Sequence, residues 1–371
     1  MRIIVLAPLN GAVTGQSFVT TRLSRSKRWD VTCISNGGEG LPLYRKLTLP
    51  IIAFIKLCFY LVFCSRDERF KTILYFTCSR SFFGFYRELP LIFISKIMKV
   101  PVVNHLHGAD LSAFFKSADP FTKKLIVFFY NLIDAHIVLL PAMKKEFDGI
   151  LDEGRQKDII HVIPNFSDDL PSNLTSSIAL EKKDKIKILF LSNLIIEKGF
   201  LDLLEAFSLL PGSYKNKFEL VIAGKVIANG HNATKINHEI ENYENISGVK
   251  FVGAKHGEGK WKLLLESDIL IFPTYYPTEA FPLVVLEAIT AGCYVITTRH
   301  NYIPDLMKDI CGLLIEPKNL ASMQRALMHV ADNFDEVELG KIRNAQVSKK
   351  YSFDSFIQRI DVVFNHIARR K

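Results

Sequence analysis

Short apolar runs recur along the chain, separated by stretches long enough to be helices. Ile3–Ala7, Val31–Ser35, Thr72–Thr77, Val102–His105, His136–Leu140 and Ile159–Ile163 form one series. Lys187–Leu191, Glu219–Ala223, Lys250–Val252, Ile269–Phe272, Tyr294–Thr297 and Gly312–Ile315 form a second. Continuous Val, Ile and Leu, rather than alternation, is the pattern of strands buried on both faces. Strand–helix–strand repetition predicts parallel sheets with right-handed crossovers. Between the series, residues 166–185 are rich in Ser, Asn, Asp and Lys and predict a linker. The chain therefore reads as α/β, with doubly wound domains at 1–165 and 186–350. Ligands of open α/β sheets bind beyond the carboxyl ends of the strands, so the expected site is a cleft between the domains. In the tail, 351–371, Phe353, Phe356, Ile357, Ile360, Val363, Phe364 and Ile367 share one helical face, and a helix packed across a domain surface is expected.

Composition sharpens this picture. The 371 residues are 49% apolar, which supplies packed cores and excludes disorder over most of the chain. The formal charge of +9 is uneven: residues 1–100 carry 15 Lys and Arg against 5 Asp and Glu, and the remainder carries 32 against 33. A uniformly basic nucleic-acid coat is therefore disfavoured. The six cysteines include no C-x-x-C pair, which argues against a disulfide framework or cysteine zinc site and fits a reducing compartment. No secretory signal is expected from the short run after Arg2. The longest apolar segment, Leu49–Cys64, has 16 residues interrupted by Pro50 and Lys56. A membrane span needs about 20 residues. With Tyr44, Arg45 and Lys46 before it and Arg66, Arg69 and Lys71 after it, the segment suits an interfacial helix, and equally a buried helix of the first domain.

Four stretches carry candidate chemistry. In Pro277–Glu287, Pro282 suits a first helical position, leaving the N–H groups of Leu283 and Val284 at a helix N-terminus that attracts phosphate. Glu279 precedes that helix and Glu287 is placed on an exposed flank inside it. Ionised carboxylates only accept hydrogen bonds, so this pair suits hydroxyl recognition, one for sugar and one for ribose. The alternative is an ordinary amphipathic helix. In Leu191–Gly199, Lys198 at a strand-to-helix turn can reach a diphosphate, or is a solvated surface lysine. In Pro8–Ser17, Gly11 and Gly15 with Gln16 permit close approach of a ligand to backbone, or simply form a turn. In His105–Asp110, His107 is expected on a cleft wall with Gly108 making room, and His105 in the core. H-x-H lacks a third metal ligand.

These motifs, in their order, resemble the retaining glycosyltransferases of family four. Glu279 and Glu287 match E-x7-E. Around them stand the N-terminal glycine loop, H-G-x-D at 107–110, I-P-N at 163–165, L-S-N-L with E-K-G, V-I-A-G at 221–224 and V-x-F-V-G at 249–253. The resemblance covers nearly the whole chain and implies the GT-B fold, two Rossmann-like domains facing a central cleft. It implies transfer of a sugar from a UDP- or GDP-linked donor, with retained configuration and no required metal or other cofactor. On this resemblance Glu279 faces the donor sugar, Glu287 the ribose, and Lys198 the diphosphate, with the backbone of Ala280, Phe281, Pro282, Leu283 and Val284. Asn193 and Lys255 join the donor side, the latter near the base. Gly15 lies near the phosphates, His107 near the reacting sugar, and Gly11, Gln16 and Asp110 on the acceptor side. The pattern departs at Asn193, where the family often has Arg, and at Pro282, which replaces Gly.

The expected function is hexosyl transfer to a lipid-linked saccharide in bacterial surface-polysaccharide synthesis (O-antigen, capsule or lipopolysaccharide). The expected location is cytoplasmic, peripheral to the inner leaflet, with 44–71 on the anionic membrane surface and no nucleic-acid partner. A nucleotide-sugar epimerase of similar fold and a non-catalytic basic binding protein are the alternatives.

Overall fold

The computed structural model describes residues 1–7, 15–37, 42–63, 65, 68–69, 71–175, 184–228 and 233–369. The chain forms two compact units, one of residues 1–165 and 356–371, the other of residues 166–355.

The first unit holds a parallel sheet ordered β2-β1-β3-β4-β5-β6 among the described residues. Its strands are β1 Arg2–Ala7, β2 Asp30–Ser35, β3 Thr72–Thr77, β4 Val102–His105, β5 Ala135–Val138 and β6 Ile160–Val162. All six expected runs form strands. The run ending at Leu140 stops as strand at Val138, because Leu139 and Leu140 bend into the turn of Pro141–Phe147. Every residue of β3, β4 and β5 is buried, as a sheet covered on both faces requires. Local chemistry sets the ends. Asp119 caps the Pro120–Leu132 helix by accepting from Phe121 N–H (3.0 Å) and Thr122 N–H (3.1 Å), with Pro120 in the first turn. Asp134, before β5, accepts from Val102 N–H (2.8 Å) and Lys96 Nζ (2.7 Å), fixing the register of β5 against β4.

The Leu43–Phe63 helix answers the question left by 49–64 in an unexpected way. It buries Ala53, Leu57 and Leu61 and exposes Tyr44, Leu47, Ile51, Ile55, Phe59 and Val62. The helix is apolar on two faces, so only one is explained by the core. Beside it, the Phe82–Ile97 helix exposes Phe82, Phe83, Phe93 and Ile97. Among the described residues, no helix is long and apolar enough to cross a membrane. The Phe353–Arg369 helix buries Phe356, Ile357, Ile360, Val363, Phe364 and Ile367. Its part beyond residue 355 belongs to the first unit, where Phe364 meets Trp29 edge-on at 5.4 Å and Asp361 accepts from Trp29 Nε1 (3.0 Å).

The second unit holds a parallel sheet ordered β12-β11-β10-β7-β8-β9 among the described residues. Its strands are β7 Ile186–Leu191, β8 Phe218–Ala223, β9 Val249–Phe251, β10 Ile269–Phe272, β11 Tyr294–Thr298 and β12 Gly312–Ile315. Asp268 does before β10 what Asp134 does before β5. It accepts from Lys187 N–H (2.9 Å) and from Lys341 Nζ (2.9 Å). In the stretch before β7, Phe166 and Ser167 are buried, Ser167 N–H donates to Tyr351 O (3.0 Å), and residues 176–183 lie outside the described residues.

Candidate active site

The strand order of the second sheet reverses at β7. The connections after β7 and β10 therefore leave the carboxyl edge side by side, which is where open α/β sheets bind ligands. The β7 connection ends in a tight turn, Ile196–Lys198, closed by Gly199 at φ +78°. That left-handed conformation favours glycine, and a Cβ here would collide with the carbonyl oxygen of Pro273. The turn is thus pressed against the β10 connection. Tyr275 N–H donates to Glu197 O (2.8 Å), joining the two.

This close approach brings two predicted residues into contact. Lys198 Nζ forms an ion pair with Glu279 Oε2, and both side chains are mostly buried. The ammonium also lies 4.6 Å from the ring centroid of Tyr276 and 5.3 Å from that of Phe272. Neither Lys198 nor Glu279 is a solvated surface group. The Glu279 loop is held from the far side by Asn301, whose Nδ2 donates to Pro277 O (2.9 Å) and Glu279 O (3.0 Å).

The helix after this loop runs Leu283–Thr290, so Pro282 is its N-cap and not its first helical residue. Its ψ of 115° keeps it extended, while its carbonyl accepts from Val285 N–H (3.1 Å). The N–H groups of Leu283 and Val284 are still first in the helix and have no intrahelical acceptor. Ala280, Phe281 and Pro282 are buried, with Phe281 6.2 Å edge-on from Tyr351.

The expectation of an exposed flank for Glu287 is corrected. Its side chain is mostly buried, and Oε1 accepts from Lys260 Nζ at 2.6 Å. Burial pushes its pKa up, Lys260 draws it down, and Asp168 pushes it up again. Asn193 and Lys255 are exposed. Among the described residues, no hydrogen bond or ion pair joins their side chains to Lys198 or Glu279. Gly224 closes the neighbouring edge: a Cβ there would collide with Ser192 O, and its N–H donates to Gly253 O (3.1 Å).

In the first unit the strand order reverses at β1, beside β3. Residues 8–14, with Gly11, lie outside the described residues. Gly15 opens the Gly15–Ser24 helix, and Gln16 Nε2 donates to Thr77 Oγ1 at the end of β3. Arg80, after β3, pairs with Asp110, after β4. The Arg80 guanidinium lies where a side chain at Gly108 would stand. His107 leans on His105, with ring centroids 4.0 Å apart, and His105 Nδ1 lies 2.6 Å from Tyr75 OH. Burial, with the Arg80 charge acting the same way, pushes the His107 pKa down to about 3. His107 is therefore a neutral imidazole at neutral pH, and among the described residues neither ring nitrogen has a hydrogen-bond partner. Gln16, His107 and Asp110 thus share the edge formed by β3 and β4.

Sequence reasoning missed Lys260 and Arg80. Each is a cation whose carboxylate partner lies on another element, 27 and 30 positions away, and no local spacing announces such a pair.

The chain is similar to known proteins in sequence and in fold. Residues 174–344 match the family described as glycosyl transferases group 1. The chain is 23% identical over 258 residues to the gpi3 subunit of phosphatidylinositol N-acetylglucosaminyltransferase from Schizosaccharomyces pombe, covering 70% of this chain and 54% of that protein. It is 20% identical over 167 residues to the O-antigen chain mannosyltransferase B of Escherichia coli, covering 45% of this chain and 42% of that protein. The chain spans about half the length of the curated relatives it matches. Among solved structures, sucrose-phosphate synthase from Thermosynechococcus elongatus superposes with a TM-score of 0.73 at 12% identity, covering 100% of both chains. HepE of Anabaena, in complex with UDP-glucose, gives 0.69 at 16% identity, covering 98% of this chain and 99% of that one. The fold is the two-sheet α/β fold of GT-B glycosyltransferases.

Proposed function

We propose that the chain is a retaining glycosyltransferase. It moves a hexosyl group from a UDP- or GDP-linked sugar to a lipid-linked saccharide in bacterial surface-polysaccharide synthesis. The observation that carries this reading is the Lys198–Glu279 pair, set at the sheet's switch point and followed by a helix N-terminus. Cleavage of a nucleotide sugar develops negative charge on the leaving diphosphate. A preorganised ammonium and two backbone N–H groups stabilise such charge most effectively in a partly buried site. In this reading Lys198, Leu283 N–H and Val284 N–H hold the diphosphate and supply the counter-charge, so no metal is required. Glu279 accepts from donor-sugar hydroxyls, and Glu287 from the ribose. Asn193 and Lys255 border the donor, Lys255 on the base side. Gly15 approaches the phosphates, and Gly11, Gln16 and Asp110 serve the acceptor. His107, neutral, serves as a hydrogen-bonding partner of the reacting sugar and not as a proton donor.

The lipid-linked acceptor is supported by the relatives, one of which is named for transfer to phosphatidylinositol and another for O-antigen synthesis. The exposed apolar face of the Leu43–Phe63 helix supports peripheral docking on an anionic inner leaflet, as does the surplus positive charge of residues 1–100. The test is incubation with a panel of UDP- and GDP-sugars and a short-chain polyprenyl diphosphate saccharide. The reading expects a new glycoside of unchanged anomeric configuration and release of nucleoside diphosphate. A new nucleotide sugar formed without acceptor would instead establish an epimerase.

A further inference from the structure

The Lys260 ammonium at Glu287 belongs to no part of the site as read so far. Lys260 comes from the Gly257–Glu266 helix, and only 22% of its side chain and 13% of that of Glu287 is exposed. The contact is a hydrogen bond of 2.6 Å to one carboxylate oxygen. An ionised carboxylate offers about four acceptor positions, so the bond leaves room for two vicinal hydroxyls. The second charge acting on Glu287 is that of Asp168, which is of like sign. On the elements packed against the Leu283–Thr290 helix stand Asp335, Glu336, Glu338, Lys341, Arg343, Lys349 and Lys350, none of which is among the charges that act on Glu287. Lys341 bonds Asp268 and Glu338, and Lys350 pairs with Asp309. Lys260 is thus the cation that offsets both burial and Asp168 at this carboxylate.

We propose that Lys260 is a positioning residue for donor recognition, holding the Glu287 carboxylate oriented to accept from the two ribose hydroxyls of the nucleotide. The inference rests on the ribose reading of Glu287. Without Lys260, Glu287 faces Asp168 in a mostly buried site, takes up a proton at higher pH, and loses acceptor capacity while protonated.

The experiment measures calorimetric affinity for UDP, GDP and their 2′,3′-dideoxy analogues between pH 6 and 9. It uses the wild type, Lys260→Met, Lys260→Gln, Lys260→Arg and Glu287→Gln. The wild type is expected to prefer the ribonucleotide by about a hundredfold at every pH, each of the two hydrogen bonds to a charged group contributing about tenfold. Lys260→Met should lose this preference at pH 6 and recover part of it at pH 9. Lys260→Gln should do the same, which keeps the test open where the methionine variant does not fold. Lys260→Arg should retain the preference, and Glu287→Gln should lose it at all pH values. Equal weakening of ribo- and dideoxynucleotide in the uncharged Lys260 variants, or an intact preference at pH 6, would overturn the positioning role alone. An intact preference in Glu287→Gln would overturn the ribose reading instead. Failure of the wild type to bind either nucleotide would overturn both.

Discussion

The ammonium of Lys198 and the Oε2 of Glu279 are in direct contact, across 81 residues of chain and the carboxyl ends of two adjacent strands. Each is the other's charge partner before any donor is present. In the proposed reading, a diphosphate arriving at Lys198 competes with Glu279 for the ammonium. Lys198→Ala removes a preorganised charge and should lower kcat by roughly 10²–10³-fold, the usual effect of deleting one such donor. It also strands a mostly buried carboxylate, so it should cost about 3–5 kcal/mol of stability. The double variant Lys198→Ala/Glu279→Ala should be the more stable of the two. Thermal unfolding of the three proteins measures this order.

The β7 connection packs against the β10 connection at Gly199 and against the β8 connection at Gly224. Gly199→Ala puts a Cβ into Pro273 O at positive φ, and Gly224→Ala puts one into Ser192 O. Each should destabilise by about 1–3 kcal/mol, and Gly199→Ala should also lower donor affinity because it displaces Lys198. Nucleotide titration of folded Gly199→Ala against Gly224→Ala separates the two effects.

The first unit should respond to pH in two opposed ways. Glu88 is buried, accepts from Ser79 N–H (3.0 Å) and Ser79 Oγ (2.6 Å), and burial pushes its pKa up to about 7. The folded state therefore keeps this proton longer than the unfolded state. The associated stability is present below about 4.5 and is lost as pH rises to about 7, by at most about 3 kcal/mol. His107 and His136, both pushed down to about 3 by burial, act in the opposite sense. Their contribution is full above the ordinary histidine range and is lost as pH falls. Glu88→Gln should gain stability relative to the wild type between pH 5 and 7, as read by denaturant midpoints at each pH.

Much of this architecture is legible in the sequence, because a parallel strand buried on both faces writes itself as an unbroken apolar run. All twelve runs are strands, and Glu279, Lys198 and Gly199 stand out by their place after such runs. What stays hidden depends on contact between distant elements. The Lys198–Glu279 and Lys260–Glu287 pairs, the burial of Glu287 and the Arg80–Asp110 pair arise when the sheet order brings separate connections together. The Leu43–Phe63 helix is ambiguous for another reason. Its composition shows an apolar helix, and only the fold decides that Leu57 faces the core while Phe59 faces outward.

That outward face yields its own prediction. Ile51→Ser/Ile55→Ser/Phe59→Ser removes three exposed apolar side chains and leaves Ala53, Leu57 and Leu61 in the core. Co-sedimentation with vesicles containing phosphatidylglycerol should fall at least tenfold, since each buried apolar side chain contributes about 1.5–3 kcal/mol or less at an interface. Release of nucleoside diphosphate in detergent should be unchanged. Equal sedimentation of the variant and the wild type would remove the membrane-docking role from this helix.

The most direct test of the central claim is nucleoside diphosphate release from UDP- and GDP-sugars, followed in parallel for the wild type and a folded Lys198→Ala protein. The account predicts release by the wild type from at least one donor and a loss of about 10²-fold or more on removing the ammonium. Equal release by the two proteins, or none from any donor by the wild type, would contradict it.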